Sequence, residues 1–336
     1  MPPGKSTPSG GEIMLKLHFI NVGDGDAALI EDCGQETVFR MLVDTGRRDV
    51  GNFPGSRRLT AAAYLRRQGI TRLDALVVTH LHEDHFGGLA ELLRGVEIGE
   101  VCAGFFPRLP AGRIPRTGTE EKTVAGLIDC LNQWAEDTAA LTAAGCRLRA
   151  VHMTETWRPT EGLEAELICP DAAACAVQRQ AWEAAMAGER VDEDLLWWSS
   201  KYRNPGSLRV RLHYAGRQIE LAGDCYGAAW EEQAARCDIL KVPHHGDAKS
   251  LTPLLVRRLR PNHAVVSCSA AYNPKKDRPS AGAVALLEAE GARVWFTDSF
   301  RPPGRGAVYW DSVNFTILRD GTILVPDSRE GGGRSI

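Results

Sequence analysis

A near-continuous apolar run, Leu73 to Thr79 (LDALVVT), ends directly in His80-Leu81-His82-Glu83-Asp84-His85. Such a run reads as a strand buried on both faces, which requires packed layers above and below it. The polar segment therefore sits at the end of a central strand, and a helix from Gly87-Gly88 to Leu93 follows. In extended chain, residues two apart point the same way, so His80 and His82 can hold one ion together. Asp84 and His85 lie on the turn and can aim at a second ion. Neutral imidazole and carboxylate suit Zn, Mn or Fe.

The rest of the chain supplies the layers. Strands are expected at Leu15–Val22, Ala27–Glu31 and Val38–Val43, then a helix at Arg57–Gln68. Helices at Thr119–Ala144 and Ala172–Trp198 flank strands at Arg147–Val151 and Leu163–Cys169. Alternation resumes with strands Leu208–Tyr214 and Gln218–Leu221, helix Ala228–Arg236 and strand Asp238–Val242. Helix Thr252–Leu259, strand Ala264–Ser267, helix Ala281–Glu290 and strand Arg293–Thr297 come next. Strands Ala307–Trp310, Asn314–Leu318 and Thr322–Val325 close the pattern. Two β-rich ends with interleaved helices imply two α/β halves packed sheet to sheet. Residues 1–13, rich in Pro, Gly and Ser, read as a disordered leader. Residues 14–326 read as one domain with an insertion at about 104–200, and 327–336 as a flexible tail.

Composition narrows the function. With 43% hydrophobic and 25% charged residues the chain is an ordinary globular mixture. A net charge of −3 offers no broad basic field for nucleic acid. The nine cysteines contain no CxxC pair, so a zinc ribbon or disulfide framework is not expected, and reduced thiols in the cytoplasm are. No apolar run approaches the ~20 residues of a membrane helix.

Two further strand ends carry polar clusters: Leu221-Ala222-Gly223-Asp224, and Lys241-Val242-Pro243-His244-His245-Gly246. A strand-end aspartate usually caps a turn, and paired histidines on a loop are often only polar. Beside the first cluster both become candidate ligands.

Taken in order, INVGDGDAALI at 20–30, LVDTG at 42–46, LDALVVTHLHEDHFGGL at 73–89, LAGD at 221–224 and DILKVPHHG at 238–246 form a set. HLHEDH resembles the HxHxDH signature of the metallo-β-lactamase fold superfamily. The whole set looks most like the soluble hydrolase domain of ComEC/Rec2-type competence proteins and its free-standing relatives. The resemblance spans roughly residues 15–298, with 104–200 poorly matched. It implies a four-layer αββα sandwich carrying an inserted, mainly helical segment, and two divalent metal ions, Zn or Mn. By position, it implies His80 and His82 on metal 1, Asp84 and His85 on metal 2, and Asp224 bridging them. It gives His244 as the remaining ligand of metal 2, with His245 as the runner-up. Asp44 matches a buried aspartate behind the metal loop, and Asp26 an acidic position on the first loop.

The chain departs from the pattern twice. Where many members place a third metal 1 histidine, it has Arg203-Asn204-Pro205-Gly206-Ser207. Where relatives often carry His-Pro-His, it has Arg278-Pro279-Ser280. The resemblance implies hydrolysis by a metal-bridging hydroxide, with a phosphodiester as the expected substrate, in a nuclease or a small phosphodiesterase. Asp84 and Asp224 would be the catalytic carboxylates. Lys241 or Arg203 would meet the phosphate, and His245 would pass a proton to the leaving group. Asn204 and Ser207 would hydrogen-bond substrate, and Arg278 would alter specificity. The partner is then a small molecule or nucleic acid, and Phe105, Phe106, Trp182, Trp197 and Trp198 either stack bases or pack the inserted helices. A carboxylic ester, lactone, thioester or amide is the alternative substrate, and a non-catalytic binding or effector module the further one.

Overall fold

Strict alternation sets the first strand. In β1 (Met14–Ile20), Leu15, Leu17 and Phe19 turn to one face and are buried. The computed structural model describes residues 13–52, 54, 56–269, 278–298 and 310–325. β1 pairs antiparallel with β2 (Ala28–Cys33), and β2 with β3 (Val38–Val43), in the registers Leu17↔Ile30 and Ile30↔Met41. From β3 the connections become crossovers. Helix α1 (Ala61–Arg67), whose first turn is capped by the Thr60 hydroxyl accepting from Ala63 N at 3.1 Å, leads to the parallel strand β4 (Arg72–Val78). Short helices α2 (Glu83–Phe86) and α3 (Leu89–Leu92) lead on to β5 (Glu97–Ala103). Helix α4 (Lys122–Ala143) leads to β6 (Arg147–Ala150).

The second sheet starts with β7 (Glu155–Trp157) and β8 (Leu163–Ile168). Helices α5 (Ala172–Met186) and α6 (Glu193–Lys201) intervene before β9 (Arg209–Tyr214) and β10 (Arg217–Leu221). Then β11 (Ile239–Lys241), α7 (Pro253–Leu259), β12 (His263–Val266), α8 (Ala281–Ala289) and β13 (Arg293–Phe296) alternate. β14 (Ser312–Leu318) and β15 (Ile323–Leu324) return to the first sheet beside β1. The strand orders are β15-β14-β1-β2-β3-β4-β5-β6 and β13-β12-β11-β10-β9-β8-β7.

Three apolar layers separate the four structural ones. Leu76 and Val78 of β4 meet Tyr64, Leu89, Leu131 and Trp134 of the helices. Ala75 and Val77 face inward, in the core shared with Val210, Leu212, Ile219 and Val265 of the second sheet. Leu240 and Val242 pack under Leu255, Leu259 and Leu287. The fold is therefore the expected αββα sandwich, and β4 is buried on both faces as its composition requires. Residues 104–200 form mainly helix and also contribute β6, β7 and β8 to the two sheets. Among the described residues no helix is long and apolar enough to cross a membrane, and all nine cysteines are free thiols.

Two expectations change, and others fall on residues the structure does not describe. The helix expected over Ala172–Trp198 is two helices, because Gly188 turns left-handed (φ 77°) and the Asp192 carboxylate caps a new start at Leu195 N. Ala228–Arg236 forms two 3₁₀ turns instead of a helix. Trp230, at φ −139°, breaks the spiral and buries its ring beneath the Arg209 guanidinium, 4.3 Å away. The strand expected at 307–310, the leader through residue 12 and the tail fall outside the described residues, Trp310 excepted.

One buried charge on α4 gives a stability prediction. Burial pushes the Asp137 carboxyl up to about 6, although the Gln133 amide donates to it at 3.0 Å. With a folded value above the unfolded one, its stability contribution is full below about pH 4 and is lost as pH rises through about 6. Asp137→Asn should therefore stabilise the chain at pH 7.5 by about 2–3 kcal/mol, and the gain should vanish near pH 4. Urea unfolding of both proteins at the two pH values checks this.

Candidate metal centre

The polar strand ends of both sheets converge. Thr79 to His85 leave β4, Gly223-Asp224 leave β10, and Pro243 to Gly246 leave β11, while the β1–β2 turn contributes Asp26 and the end of β3 contributes Asp44. Local backbone makes this approach possible. Gly223 is left-handed (φ 52°), and a Cβ there would lie 3.1 Å from Thr79 and 3.2 Å from Ser207. Gly25 lets the first turn close on the histidine loop: its Cβ would stand 2.7 Å from Asp84 O, and Asp26 N donates to that carbonyl at 3.0 Å. His244 and His245 are both left-handed, at φ 48° and 54°. That conformation costs a non-glycine residue about 1–2 kcal/mol and persists only where its surroundings enforce it.

The side chains form two groups around one carboxylate. His80, His82 and Asp224 are the first, and Asp84, His85 and His245 the second. His80 Nε2 and His82 Nδ1 lie 2.8 Å apart, and His80 Nε2 is 3.8 Å from Asp224 Oδ2. On the other side, His85 Nε2 is 3.2 Å from Asp224 Oδ1, and His245 Nε2 is 3.3 Å from Asp84 Oδ2. The place that the resemblance assigns to His244 is thus held by His245. His244 instead turns its Nε2 to Asp224 Oδ2, at 3.7 Å.

Electrostatics separates the two groups. Burial, then the charge of neighbouring imidazoles, holds His80 well below the usual histidine value; burial, then Arg203, brings His82 to about 3. Burial also works against Asp84 and Asp224 as carboxylates. The bond from His245 to Asp84 and the charges of His85 and His245 outweigh it, and both stay well below the usual range. Burial lowers His85 and His245 as well, but Asp224 outweighs it and raises both. The protein thus offers neutral nitrogens and anionic oxygens, with protons on His85 and His245 balancing the carboxylates. A cation would take that balancing role and displace the protons, so its affinity should rise with pH. His85 Nε2, His245 Nε2 and Asp224 Oδ1 are buried without a well-directed hydrogen bond. A divalent cation among them would satisfy all three. The donor set fits such an ion.

Outer partners fix the rings. His85 Nδ1 lies 2.7 Å from Asp44 Oδ2, while Asp44 also accepts from Thr79 N and Thr79 Oγ1, each at 2.8 Å. Asp26 lies 3.8 Å from His85 Nδ1 and 3.6 Å from His245 Nδ1. Ligand-orienting carboxylates are typically worth 10–100-fold in metal affinity. Asp44→Ala should weaken zinc binding by about that factor in calorimetric titration. Unchanged affinity would restrict Asp44 to holding Thr79.

Several of the residues expected to contact substrate have partners within the protein. Arg203 is buried, and its NH1 and Nε donate to the carbonyls of Leu81 (3.0 Å) and Ser200 (3.1 Å), so it buttresses the histidine loop. Lys241 is 4% exposed, and its ammonium pairs with Asp26 beneath the site. Ser207 is fully buried, and its Oγ accepts from Asp224 N. Asn204 does face the site: its amide donates to His244 Nε2 at 3.1 Å and to the Tyr226 hydroxyl at 3.4 Å. Arg278 reaches the same His244 nitrogen from the rim. Tyr226 and Asp247 were not singled out in the sequence. Asp247 could have been, as a carboxylate three residues after His244; nothing in the residue pattern marks Tyr226. Phe105 packs on Trp182 and Phe106 on Trp134 inside the helical layer, and Trp198 stacks on Tyr202, leaving Trp197 half-exposed.

Residues 20–104 match the family described as the metallo-beta-lactamase superfamily. ComE operon protein 3 of Bacillus subtilis (strain 168) is 24% identical over 302 residues, covering 84% of this chain and 32% of that protein. The chain therefore spans about a third of the length of the curated relative it matches. Among solved structures, the metallo-beta-lactamase fold protein YhfI of Bacillus subtilis is similar at TM-score 0.46 and 10% identity, covering 85% of this chain and 96% of that one. Zinc-bound PqqB of Methylobacterium extorquens is similar at TM-score 0.41 and 12% identity, covering 81% and 85%.

Proposed function

We propose that this chain, whose residues 20–104 match the metallo-beta-lactamase superfamily, is a metal-dependent hydrolase acting on a phosphodiester. The observation that carries the reading is the position of Asp224, a single buried carboxylate with one oxygen toward each group of imidazoles. His80, His82 and Asp224 would hold one divalent cation, Zn or Mn. Asp84, His85, His245 and the other oxygen of Asp224 would hold the second. When bound, such a pair lowers the pKa of a coordinated water and clamps the attacking and leaving oxygens of the reacting ester.

The protein's own groups do the rest. Asp44 fixes the ring of His85 from behind, and the Ser267 carbonyl, 3.2 Å from His245 Nδ1, fixes that of His245. Arg203 holds the Leu81 carbonyl and so the spacing of His80 and His82. Arg278 at the rim and the buried Asn204 both donate to His244 Nε2, and they would offer a guanidinium and an amide to a substrate oxygen. A diester phosphate has two non-bridging oxygens for such donors, whereas a carbonyl substrate has one. This supports a phosphodiester, nucleic acid or small molecule, over a carboxylic ester.

The test is hydrolysis of bis(p-nitrophenyl) phosphate beside p-nitrophenyl acetate, by metal-stripped protein given back Zn or Mn. Metal-dependent diester turnover supports the proposal. Turnover of the acetate alone would replace the phosphodiester by a carbonyl substrate, and silence on both with metal bound would favour a binding role.

A further inference from the structure

The two oxygens of Asp224 sort the surrounding rings. Oδ1 faces His85 (3.2 Å) and His245 (4.0 Å), whereas Oδ2 faces His80 (3.8 Å) and His244 (3.7 Å). Adjacent residues in extended chain would point their rings to opposite sides. The consecutive left-handed conformations of His244 and His245 bring both toward the same carboxylate, with ring centroids 6.1 Å apart. Strain held in two neighbouring non-glycine residues calls for a use for each ring.

His244 also has the surroundings of a metal-bound imidazole. It is 4% exposed, and its Nδ1 lies 2.6 Å from Asp247 Oδ2. A carboxylate beside the far nitrogen, with Nε2 turned toward the shared carboxylate, is an arrangement typical of metal-bound histidines. Nε2 is met by two donors, the Asn204 amide and the Arg278 guanidinium. Both mark it as the nitrogen carrying the lone pair, and both can yield: Arg278 stands at the partly exposed rim, and Asn204 has a second acceptor in Tyr226. His80, His82 and Asp224 supply three atoms, one short of a tetrahedral set.

Building on the two-cation reading above, we propose that His244 is a ligand of the ion held by His80 and His82, so that the two histidines of Pro243-His244-His245-Gly246 serve different ions. Loading that ion also releases Arg278 and Asn204 toward the substrate.

The test counts and titrates cobalt(II) in the full chain, by elemental analysis and by chelator competition, without reference to turnover. His244→Asn is the main variant, since asparagine tolerates the left-handed backbone; His244→Ala is the second, and circular dichroism establishes that each folds. Alone, His244→Asn should weaken one of two ions about tenfold or more. In an Asp84→Ala background, where the remaining ion sits with His80, it should weaken that ion by a similar factor. In a His80→Ala background it should leave the remaining ion within about twofold, and there His245→Asn should weaken it. Wild-type affinity for both ions in His244→Asn would overturn the inference. So would a loss that appears with His80→Ala and not with Asp84→Ala. A wild-type chain that binds no cobalt would overturn the two-cation reading and this inference with it, and is told apart by the stoichiometry of the unmutated protein.

Discussion

Asp224→Asn is expected to abolish metal-stimulated hydrolysis of bis(p-nitrophenyl) phosphate, a loss of about 10³-fold or more in kcat/KM, with the fold retained. Removing one well-placed electrostatic group from an active site commonly costs about 10²–10³-fold, and Asp224 faces both groups of ligands at once. Asparagine keeps the shape, so no cavity opens in a region where Asp224 is 1% exposed. It removes the charge that holds His85 and His245 above the usual histidine value. The amide also offers a single acceptor where two anionic oxygens stood. Cation stoichiometry should therefore fall below that of the unmutated chain. Circular dichroism and steady-state rates, with zinc or manganese restored, check both halves. Full activity with asparagine at 224 would remove the shared-carboxylate arrangement from the mechanism.

How much of this was legible in the sequence depends on how local the determining physics is. The central strand and its histidines were legible because burial on both faces and i, i+2 spacing are written into consecutive residues 73–85. Alternation implied two α/β halves packed sheet to sheet, and the resemblance carried by the motif set implied the αββα layering. The identity of the ring beside Asp84 was not legible. Whether His244 or His245 turns that way depends on the sign of φ at two residues, and side-chain chemistry does not encode it. The break between α5 and α6 hung on one glycine conformation and one cap, both visible only as options. Trp230 gave up a helix for a stack on Arg209, a residue in a different strand. The cations were the least legible. Arg203 and Lys241 stand on loops and strand ends that read as substrate-facing, and both are turned inward by partners far along the chain.

Lys241 makes this last point measurable. Its partner, Asp26, lies 215 residues away in sequence, and both side chains are nearly excluded from solvent. Breaking a buried ion pair by removing one member typically costs about 3–5 kcal/mol, because the other charge is left uncompensated. Lys241→Met should therefore destabilise the chain by about that amount in urea unfolding. The methionine fills most of the volume, so the loss reports charge and not a cavity. Lys241→Met combined with Asp26→Asn removes both charges and should recover a large part of the loss, since a neutralised pair is close to isoenergetic with apolar packing. Asp26 also lies near the Nδ1 atoms of His85 and His245, so the single variant leaves an uncompensated carboxylate against the rings of the second ligand group. Zinc affinity should change in Lys241→Met, with KM for the diester following metal occupancy and returning when metal is saturating. A lysine that touched phosphate would behave in the opposite way. Its loss would raise KM at saturating metal and leave stability and zinc affinity where they were.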